Sequence, residues 1–185
     1  MLEAEIWGIA ETGDGYMIFI KPLKSEYSVP IFIGQLEAQA ILIGFGGISI
    51  SRPLTADLLQ NLIKEADLVL LRAEICELKD NTFFGRLVLE KPFGGELILD
   101  SRPSDALALA VRCKSPIYIA EKIVQEAGIH IETLDSLVIQ PTENSAGPEP
   151  MEEAKKHRLR SELDEAVAAE NYERAAEIRD MLNLL

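Results

Sequence analysis

Two segments of nearly the same sequence stand fifty positions apart and constrain how this chain can fold. They cover residues 51–57 (SRPLTAD) and 101–106 (SRPSDA). In each, proline holds its own φ and biases the preceding arginine toward extended geometry, and the hydroxyl residue that follows, Thr55 or Ser104, can act as a helix N-cap. An acid comes next, where the helix dipole favours it. The repeat therefore predicts two loop-to-helix joints.

Each joint places an arginine, Arg52 or Arg102, beside a helix N-terminus, an arrangement that attracts phosphate and carboxylate groups. If the two joints meet, they form one anion site to which Thr55 and Ser104 add hydroxyl groups. A purely structural interpretation stays open, because an ordinary capped helix after Ser-Arg-Pro has the same sequence pattern. Both hydroxyl residues are favoured as caps over nucleophiles, since no histidine stands nearby in sequence to activate them.

The composition limits the class of protein. With 185 residues and 48% apolar side chains, the chain can form one full domain and a small appendage. No apolar run reaches the roughly 18 residues of a membrane helix, and the first residues lack the pattern of a signal peptide. We therefore expect a cytoplasmic protein without a membrane partner. Cys76 and Cys113 are too few for a disulfide framework and are predicted to lie in the core.

The net charge of −13 argues against a simple nucleic-acid-binding protein, because Lys and Arg supply most of the affinity for phosphates. Acids outnumber bases both before and after residue 140. A nucleic-acid substrate is still allowed if Arg52, Arg102 and Arg112 converge, or if a divalent metal offsets the repulsion between carboxylates and phosphates.

Interspersed strands and helices without strict βαβ alternation predict an α+β domain over residues 1–140, with helices packed on a mixed or antiparallel sheet. Strands are predicted at 2–10, 16–21, 28–33, 68–78, 81–90, 96–100 and 116–120, helices at 34–45, 55–66, 104–113 and 121–127, and an irregular closing segment at 129–140. Residues 141–152 are rich in Pro, Gly and polar side chains and predict a flexible linker. Residues 153–185 predict a helical hairpin whose apolar stripes contact a protein partner or a second copy.

Spaced motifs resemble those of the bifunctional nuclease domain over residues 1–135. They are residues 32–34 (FIG), 36–40 (LEAQA), 52–59 (RPLTADLL), 100–112 (DSRPSDALALAVR) and 116–118 (PIY). The tail, through residues 170–180 (ENYERAAEIRD), resembles the UVR motif of nucleotide-excision-repair subunits. The resemblance implies an α+β fold, self-association into homo-oligomers, nuclease activity on DNA and RNA as attributed to some members, and protein pairing through the tail. The family's Thr-His-Asp motif is Thr55-Ala56-Asp57 here, so a histidine base is absent from that joint.

If the domain hydrolyses phosphodiesters, carboxylate-held Mg²⁺ or Mn²⁺ can activate water without histidine. The candidate metal ligands are Asp57, Asp100 and Asp105. The candidate catalytic residues are Asp57, Asp105 and Glu37, and the candidate phosphate-binding residues are Arg52, Arg102, Thr55 and Ser104. His130 and His157 are interpreted as structural or solvent-exposed.

Two other interpretations stay open beside the nuclease. The chain can be a non-catalytic, oligomeric adaptor that binds a small anion or a partner carboxylate and is linked to DNA repair or proteostasis. Alternatively, Arg52 and Arg102 pair with acids across a subunit interface and bind no ligand. Solvent exposure of the two guanidinium groups distinguishes an anion site from a structural joint.

Overall fold

Two antiparallel meanders of three strands make up most of one eight-stranded sheet. The computed structural model describes residues 1–13, 15–48 and 50–134. The first meander comprises β1 (Leu2–Thr12), β2 (Gly15–Pro22) and β3 (Tyr27–Ile33), and the second comprises β4 (Val69–Lys79), β5 (Thr82–Glu90) and β6 (Glu96–Ser101). The short strand β7 (Ile117–Ile119) joins them, antiparallel to β1 and parallel to β4, and β8 (Ile129–His130) pairs with the start of β3. The strand order is β6-β5-β4-β7-β1-β2-β3-β8.

The described residues also form four α-helices: α1 (Gln35–Phe45), α2 (Thr55–Glu65), α3 (Pro103–Cys113) and α4 (Glu121–Ala127). Five consecutive side chains of α3, from Ala106 to Ala110, are buried, because α3 packs against β4 and β5 of the sheet and also against α1 and α2. Such a helix is hydrophobic on most of its circumference. The mixed sheet with packed helices confirms the predicted α+β class, and the predicted helices and strands agree with the observed ones to within about two residues.

The starts of α2 and α3 differ from the prediction. Thr55 and Ser104 are not N-caps: Leu54 and Arg102 occupy the cap positions, and neither makes a side-chain cap hydrogen bond. Pro103 starts α3 one residue earlier than predicted, because proline lacks the N–H that the first turn leaves unpaired. In α2 the Asp57 carboxylate accepts a hydrogen bond from the Leu54 N–H at 2.8 Å. An acid in the first turn therefore does part of what the hydroxyl was expected to do.

The repeated Ser-Arg-Pro segments are not structurally equivalent. Residues 51–53 lie in the loop between α1 and α2, whereas Ser101 ends β6 and leads directly into α3. Cys76 and Cys113 are half-buried rather than in the core as predicted, and both thiols are free. Burial raises the pKa of each thiol above its ordinary value, so neither is an activated nucleophile.

The chain separates into two units, Met1–Ser145 and Ala146–Leu185, and every described residue belongs to the first. The predicted linker 141–152, the predicted hairpin 153–185 and His157 therefore lie outside the described residues. Among the helices described, none has the length and apolar character needed to cross a membrane.

Candidate active site

The three candidate catalytic acids occupy the same position in three different helices. Glu37, Asp57 and Asp105 are the third residues of α1, α2 and α3 respectively. An acid there is stabilised by the unpaired N–H groups and the positive end of the helix dipole. Each of the three carboxylates also contacts an arginine from a distant part of the chain or from the same turn. The arginine partner separates them into two groups.

Arg102 brings Glu37 and Asp105 together. Its Nε and Nη2 donate to the two oxygens of Asp105 at 2.7 and 3.1 Å, and its Nη1 donates to Glu37 Oε1 at 2.9 Å. Hydrogen bonds to Asp105 and then to Glu37 raise the pKa of Arg102 above its ordinary value. The Arg102 side chain is nevertheless 65% exposed, so its remaining donors are open to a ligand.

The N-terminal ends of α1, α2 and α3 line one groove of about 610 Å³, which we call the helix-terminus groove. Its lining residues are Leu36, Glu37, Gln39, Ala40, Leu54, Thr55, Ala56, Leu59, Arg102, Ser104, Asp105 and Ala108. Three helix N-termini and a guanidinium group favour an anion at this place. Residues from the two predicted joints thus meet, as the sequence left open, and Thr55, Arg102 and the largely buried Ser104 line one groove.

A second depression, which we call the small pocket, adjoins this groove and has a volume of about 310 Å³. It lies between the end of β3, the turn from β4 to β5 and the start of α3. Its lining residues are Ile31, Phe32, Ile33, Gly34, Glu37, Asn81, Thr82, Phe83, Arg102, Pro103 and Ser104. Glu37, Arg102 and Ser104 line both depressions, so a ligand that fills one contacts the same side chains as a ligand in the other.

Asp57 has a different partner and a different role. Its Oδ1 accepts from Nε of Arg112 at 2.6 Å, and Arg112 Nη1 donates to the carbonyls of Ala40 and Ala108 at 2.8 Å each. Burial alone would raise the pKa of Asp57, but hydrogen bonds from Arg112 and the Leu54 N–H hold this pKa below its ordinary value. Asp57 therefore stays ionised and connects α2 to α1 and α3 through Arg112.

Two further predicted site residues lie away from the groove. Arg52 is exposed and, within the described ranges, makes no hydrogen bond or ion pair and lines neither depression. Asp100 is exposed on β6, where its register partner on β5 is Arg86. Arg52 and Arg102, whose convergence the sequence left open, therefore do not line a common groove, although Thr55 from the first joint lines the same groove as Arg102.

The residues present do not fit the predicted three-carboxylate metal site. Asp57 and Asp105 each bind an arginine, and Asp100 lies on the edge strand. In the part of the chain that the structure describes, no group of three or more His, Cys, Asp and Glu side chains is arranged to hold a metal ion. A divalent ion prefers several carboxylate, carbonyl or water oxygens around it, so we derive no catalytic step through a bound metal.

His130 contacts none of the candidate catalytic acids within the described ranges. Its Nε2 lies 3.5 Å from Glu26 Oε2, and its ring meets Tyr27 edge to face with centroids 5.3 Å apart. These contacts agree with the structural interpretation of His130. The sequence analysis missed Phe32 and Asn81 as pocket residues and Arg112 as the link between three helices. Two signals in the sequence were available: the aromatic Phe32 shortly before Gly34, and Arg112 on an otherwise apolar helix.

Comparison with known proteins gives the same architecture that the motifs indicated. The family model of the bifunctional nuclease domain matches residues 18–132, and that of the UvrB/uvrC motif matches residues 153–185. An uncharacterized protein of Mycobacterium tuberculosis is 33% identical over 115 residues, which are 62% of this chain and 68% of that protein.

Plant proteins match more of the chain at lower identity. Bifunctional nuclease 1 of Oryza sativa subsp. japonica is 26% identical over 176 residues, covering 85% of this chain and 51% of the rice protein. Bifunctional nuclease 1 of Arabidopsis thaliana is 23% identical over 166 residues, with 83% and 51% covered. The chain thus spans about half the length of these plant relatives. With the domain matched over more than half of its residues, the chain belongs to the bifunctional nuclease domain family.

Proposed function

We propose that the helix-terminus groove hydrolyses phosphodiester bonds of DNA or RNA. One observation carries this proposal: the starts of α1 and α3 bring two carboxylates and one exposed guanidinium to a groove that the start of α2 also lines. Helix N-termini and arginine stabilise the charge that develops on phosphate oxygens during phosphoryl transfer, while a carboxylate can accept the proton of an attacking water. Family membership and the names of the plant relatives support the same reaction.

Each side chain of the groove has a distinct role in this proposal. Glu37 and Asp105 are the acid and base candidates, and Glu37 is the more enclosed, with 25% of its side chain exposed against 50% for Asp105. Arg102 holds both carboxylates in place and directs its free N–H groups at the phosphate. Thr55 and Ser104 supply hydroxyl groups to a phosphate oxygen. Asp57 acts through Arg112 on helix position and not on the substrate.

A requirement for Mg²⁺ or Mn²⁺ is a separate proposal. Mg²⁺ commonly binds one or two carboxylates together with waters and substrate phosphates, so a preformed three-carboxylate site is not needed for it to assist. We expect a chelator to abolish cleavage and added Mg²⁺ or Mn²⁺ to restore it. Cleavage at the full rate in chelator contradicts the metal requirement and leaves the hydrolysis proposal intact.

Replacing Asp105 with asparagine is expected to lower kcat/KM for cleavage about 100-fold, the smallest effect usual for loss of a general acid or base. Glu37→Gln and Arg102→Ala are expected to act in the same direction. The measurement is cleavage of labelled single-stranded DNA, duplex DNA and RNA by highly purified protein, with Mg²⁺, with Mn²⁺ and with chelator.

Glu121→Gln is the matched control, because Glu121 is also a first-turn acid but its helix, α4, does not line the groove. The control should cleave like the unmodified chain. Equal activity of Asp105→Asn, Glu37→Gln and the control would show that the cleavage comes from elsewhere or from a contaminant. Circular dichroism of each variant checks that it is folded.

A second candidate function is a non-catalytic adaptor, and one feature of α2 favours it. Leu58 and Leu62 lie one helical turn apart, and these residues are 63% and 62% exposed. An exposed apolar stripe beside the helix-terminus groove is typical of a protein contact, so we also propose that the chain self-associates or binds a protein partner, with residues 153–185 as a further contact. Sedimentation equilibrium of the purified chain tests self-association. The cytoplasmic location and the link to DNA repair or proteostasis stay predictions.

A further inference from the structure

Phe32 is an aromatic side chain that the fold leaves in water at the mouth of the small pocket. It is 70% exposed and lies near the end of β3. Within the described ranges, β8 pairs with Tyr27 and Ser28, so the Phe32 end of β3 has a neighbouring strand there on one side, β2, and none on the other. Exposing a phenyl ring is unfavourable. A flat ligand that stacks on the ring removes this cost.

Arg102 also lines the small pocket and has uncommitted donors. A guanidinium group has five N–H donors, of which one on Nε and one on each Nη bind Asp105 and Glu37. One donor therefore remains on each Nη. The two carboxylates already compensate the charge of Arg102, so the free donors suit an uncharged carbonyl oxygen at least as well as a phosphate.

Asn81 adds the third recognition element. It lies at the tight turn between β4 and β5, with a positive φ of 58°, and its exposed side chain also lines the small pocket. An amide group offers both donors and an acceptor, whereas a guanidinium group offers only donors. The pocket volume of about 310 Å³ is at the low end of the roughly 300–1,000 Å³ found for small-ligand pockets, which suits one planar ring system.

We propose that the small pocket binds one unpaired nucleobase that carries a ring carbonyl, stacked on Phe32 and hydrogen-bonded to Arg102 and Asn81. The inference rests on the proposed function and deepens it: the substrate class is single-stranded nucleic acid, with the phosphate next to that base in the helix-terminus groove. In a duplex, both faces of a base are stacked on its neighbours and its edge is paired with the other strand. Such a base cannot enter the pocket unless it leaves the helix. DNA and RNA strands share this chemistry.

Fluorescence anisotropy in chelator and low salt tests the inference without cleavage. The probes are a thymidine 12-mer, the same strand in a duplex, a uridine RNA 12-mer, and an abasic strand of equal length and charge. Stacking on an aromatic side chain strengthens binding by about tenfold or more per base. We therefore expect the thymidine strand to bind about tenfold more tightly than the abasic strand and the duplex. Comparison of the thymidine and uridine strands shows which sugar the site prefers.

Phe32→Ala should weaken thymidine binding about tenfold, to the level of the abasic strand, and leave the affinity for the abasic strand unchanged. Phe93→Ala is the matched control, because Phe93 is fully exposed in the turn between β5 and β6, away from both depressions, and it should not alter the dissociation constant. Both rings lie on the surface, so both variants should keep the melting temperature of the unmodified chain.

Equal binding of thymidine and abasic strands, or equal dissociation constants for the Phe32 and Phe93 variants, would overturn the inference. So would a change in sedimentation mass in Phe32→Ala without loss of base-dependent binding, since Phe32 would then serve contact between copies. The two proposals fail separately. Base-dependent binding without cleavage would support the base-binding pocket and contradict the proposed nuclease activity. Equal cleavage of base-containing and abasic strands would contradict the base-binding pocket and support the nuclease activity.

Discussion

Replacing Arg112 with methionine is expected to lower the free energy of unfolding by about 3–5 kcal/mol, the usual cost of breaking a buried ion pair. The Arg112 side chain is only 4% exposed, and it joins α3 to Asp57 on α2 and to the Ala40 carbonyl on α1. Methionine fills much of the space but donates no hydrogen bond. Buried Nη2 has no partner among the described residues, so the loss should lie at the lower end of this range.

Urea denaturation followed by circular dichroism measures this effect, and Lys114→Met is the control. Lys114 is exposed just after α3, and its replacement should change the free energy of unfolding by less than about 0.5 kcal/mol. The double variant with Asp57→Asn should lose much less than the sum of the two single losses, because the two side chains act as a pair. An Arg112→Met chain within 1 kcal/mol of the unmodified chain, or strict additivity, would contradict the assigned role.

The pH dependence adds a second readout for the same pair. The pKa of Asp57 is held below its ordinary value of 3.8, so the stabilisation is complete above that value and is lost as the pH falls through the lower, folded-state pKa. In Arg112→Met the main cause of this lowering is gone. The difference in stability between the two chains should therefore be largest at neutral pH and shrink below about pH 4.

The sequence predicted the elements well because their signals are local. Strand alternation, the turn at Lys79–Asp80–Asn81 and the glycines after α1 all depend on residues that are close along the chain. The errors at Thr55 and Ser104 are local too: hydroxyl residues after proline are common caps, but in α2 the acid Asp57 accepts from the backbone, and in α3 proline takes the first helical position. A one-residue shift is the size of error that such competition produces.

The candidate site was predictable only in part because its contacts are long-range. Both segments that line the helix-terminus groove were identified, and so was Glu37, but the contact between Glu37 and Arg102 joins residues 65 positions apart. Nothing in the local pattern tells which arginine reaches which acid. Asp57 and Asp105 both follow a Ser-Arg-Pro segment, and only the contact of Asp57 with Arg112, 55 residues away, distinguishes the two.

Glu74 is another acid whose partners cannot all be told from the local sequence. It is buried, with 3% of the residue exposed, and its two oxygens accept from Nε of Arg72 at 2.6 Å and Nε of Arg86 at 2.5 Å. Period-two alternation places Arg72 and Glu74 on one face of β4. Arg86, by contrast, is opposite Glu74 only because of the register between β4 and β5, which the sequence does not state.

Glu74→Gln is expected to lower the free energy of unfolding by about 3 kcal/mol at neutral pH. One side of the glutamine amide can still accept from an arginine, but its NH₂ group faces the other guanidinium, so two donors oppose each other. Arg72 keeps its ion pair with Glu96 at 3.0 Å, whereas Arg86 also loses the carboxylate that it binds. Their side chains keep 30% and 40% exposure, and this contact with water holds the loss near the low end of the 3–5 kcal/mol usual for buried pairs.

Glu77→Gln is the matched control, because Glu77 lies on the same strand and is exposed. This variant should lower the free energy of unfolding by less than about 0.5 kcal/mol.

Burial alone would raise the pKa of Glu74, but hydrogen bonds from Arg72 and Arg86 hold this pKa below the ordinary value of 4.5. The stabilisation is therefore present above pH 4.5 and disappears as the pH falls through the folded-state pKa. Urea denaturation from pH 7 to pH 3 should show the gap between Glu74→Gln and the unmodified chain closing in the acid range. A gap that stays constant over the whole range would mean that packing, and not the carboxylate charge, stabilises the sheet at this position.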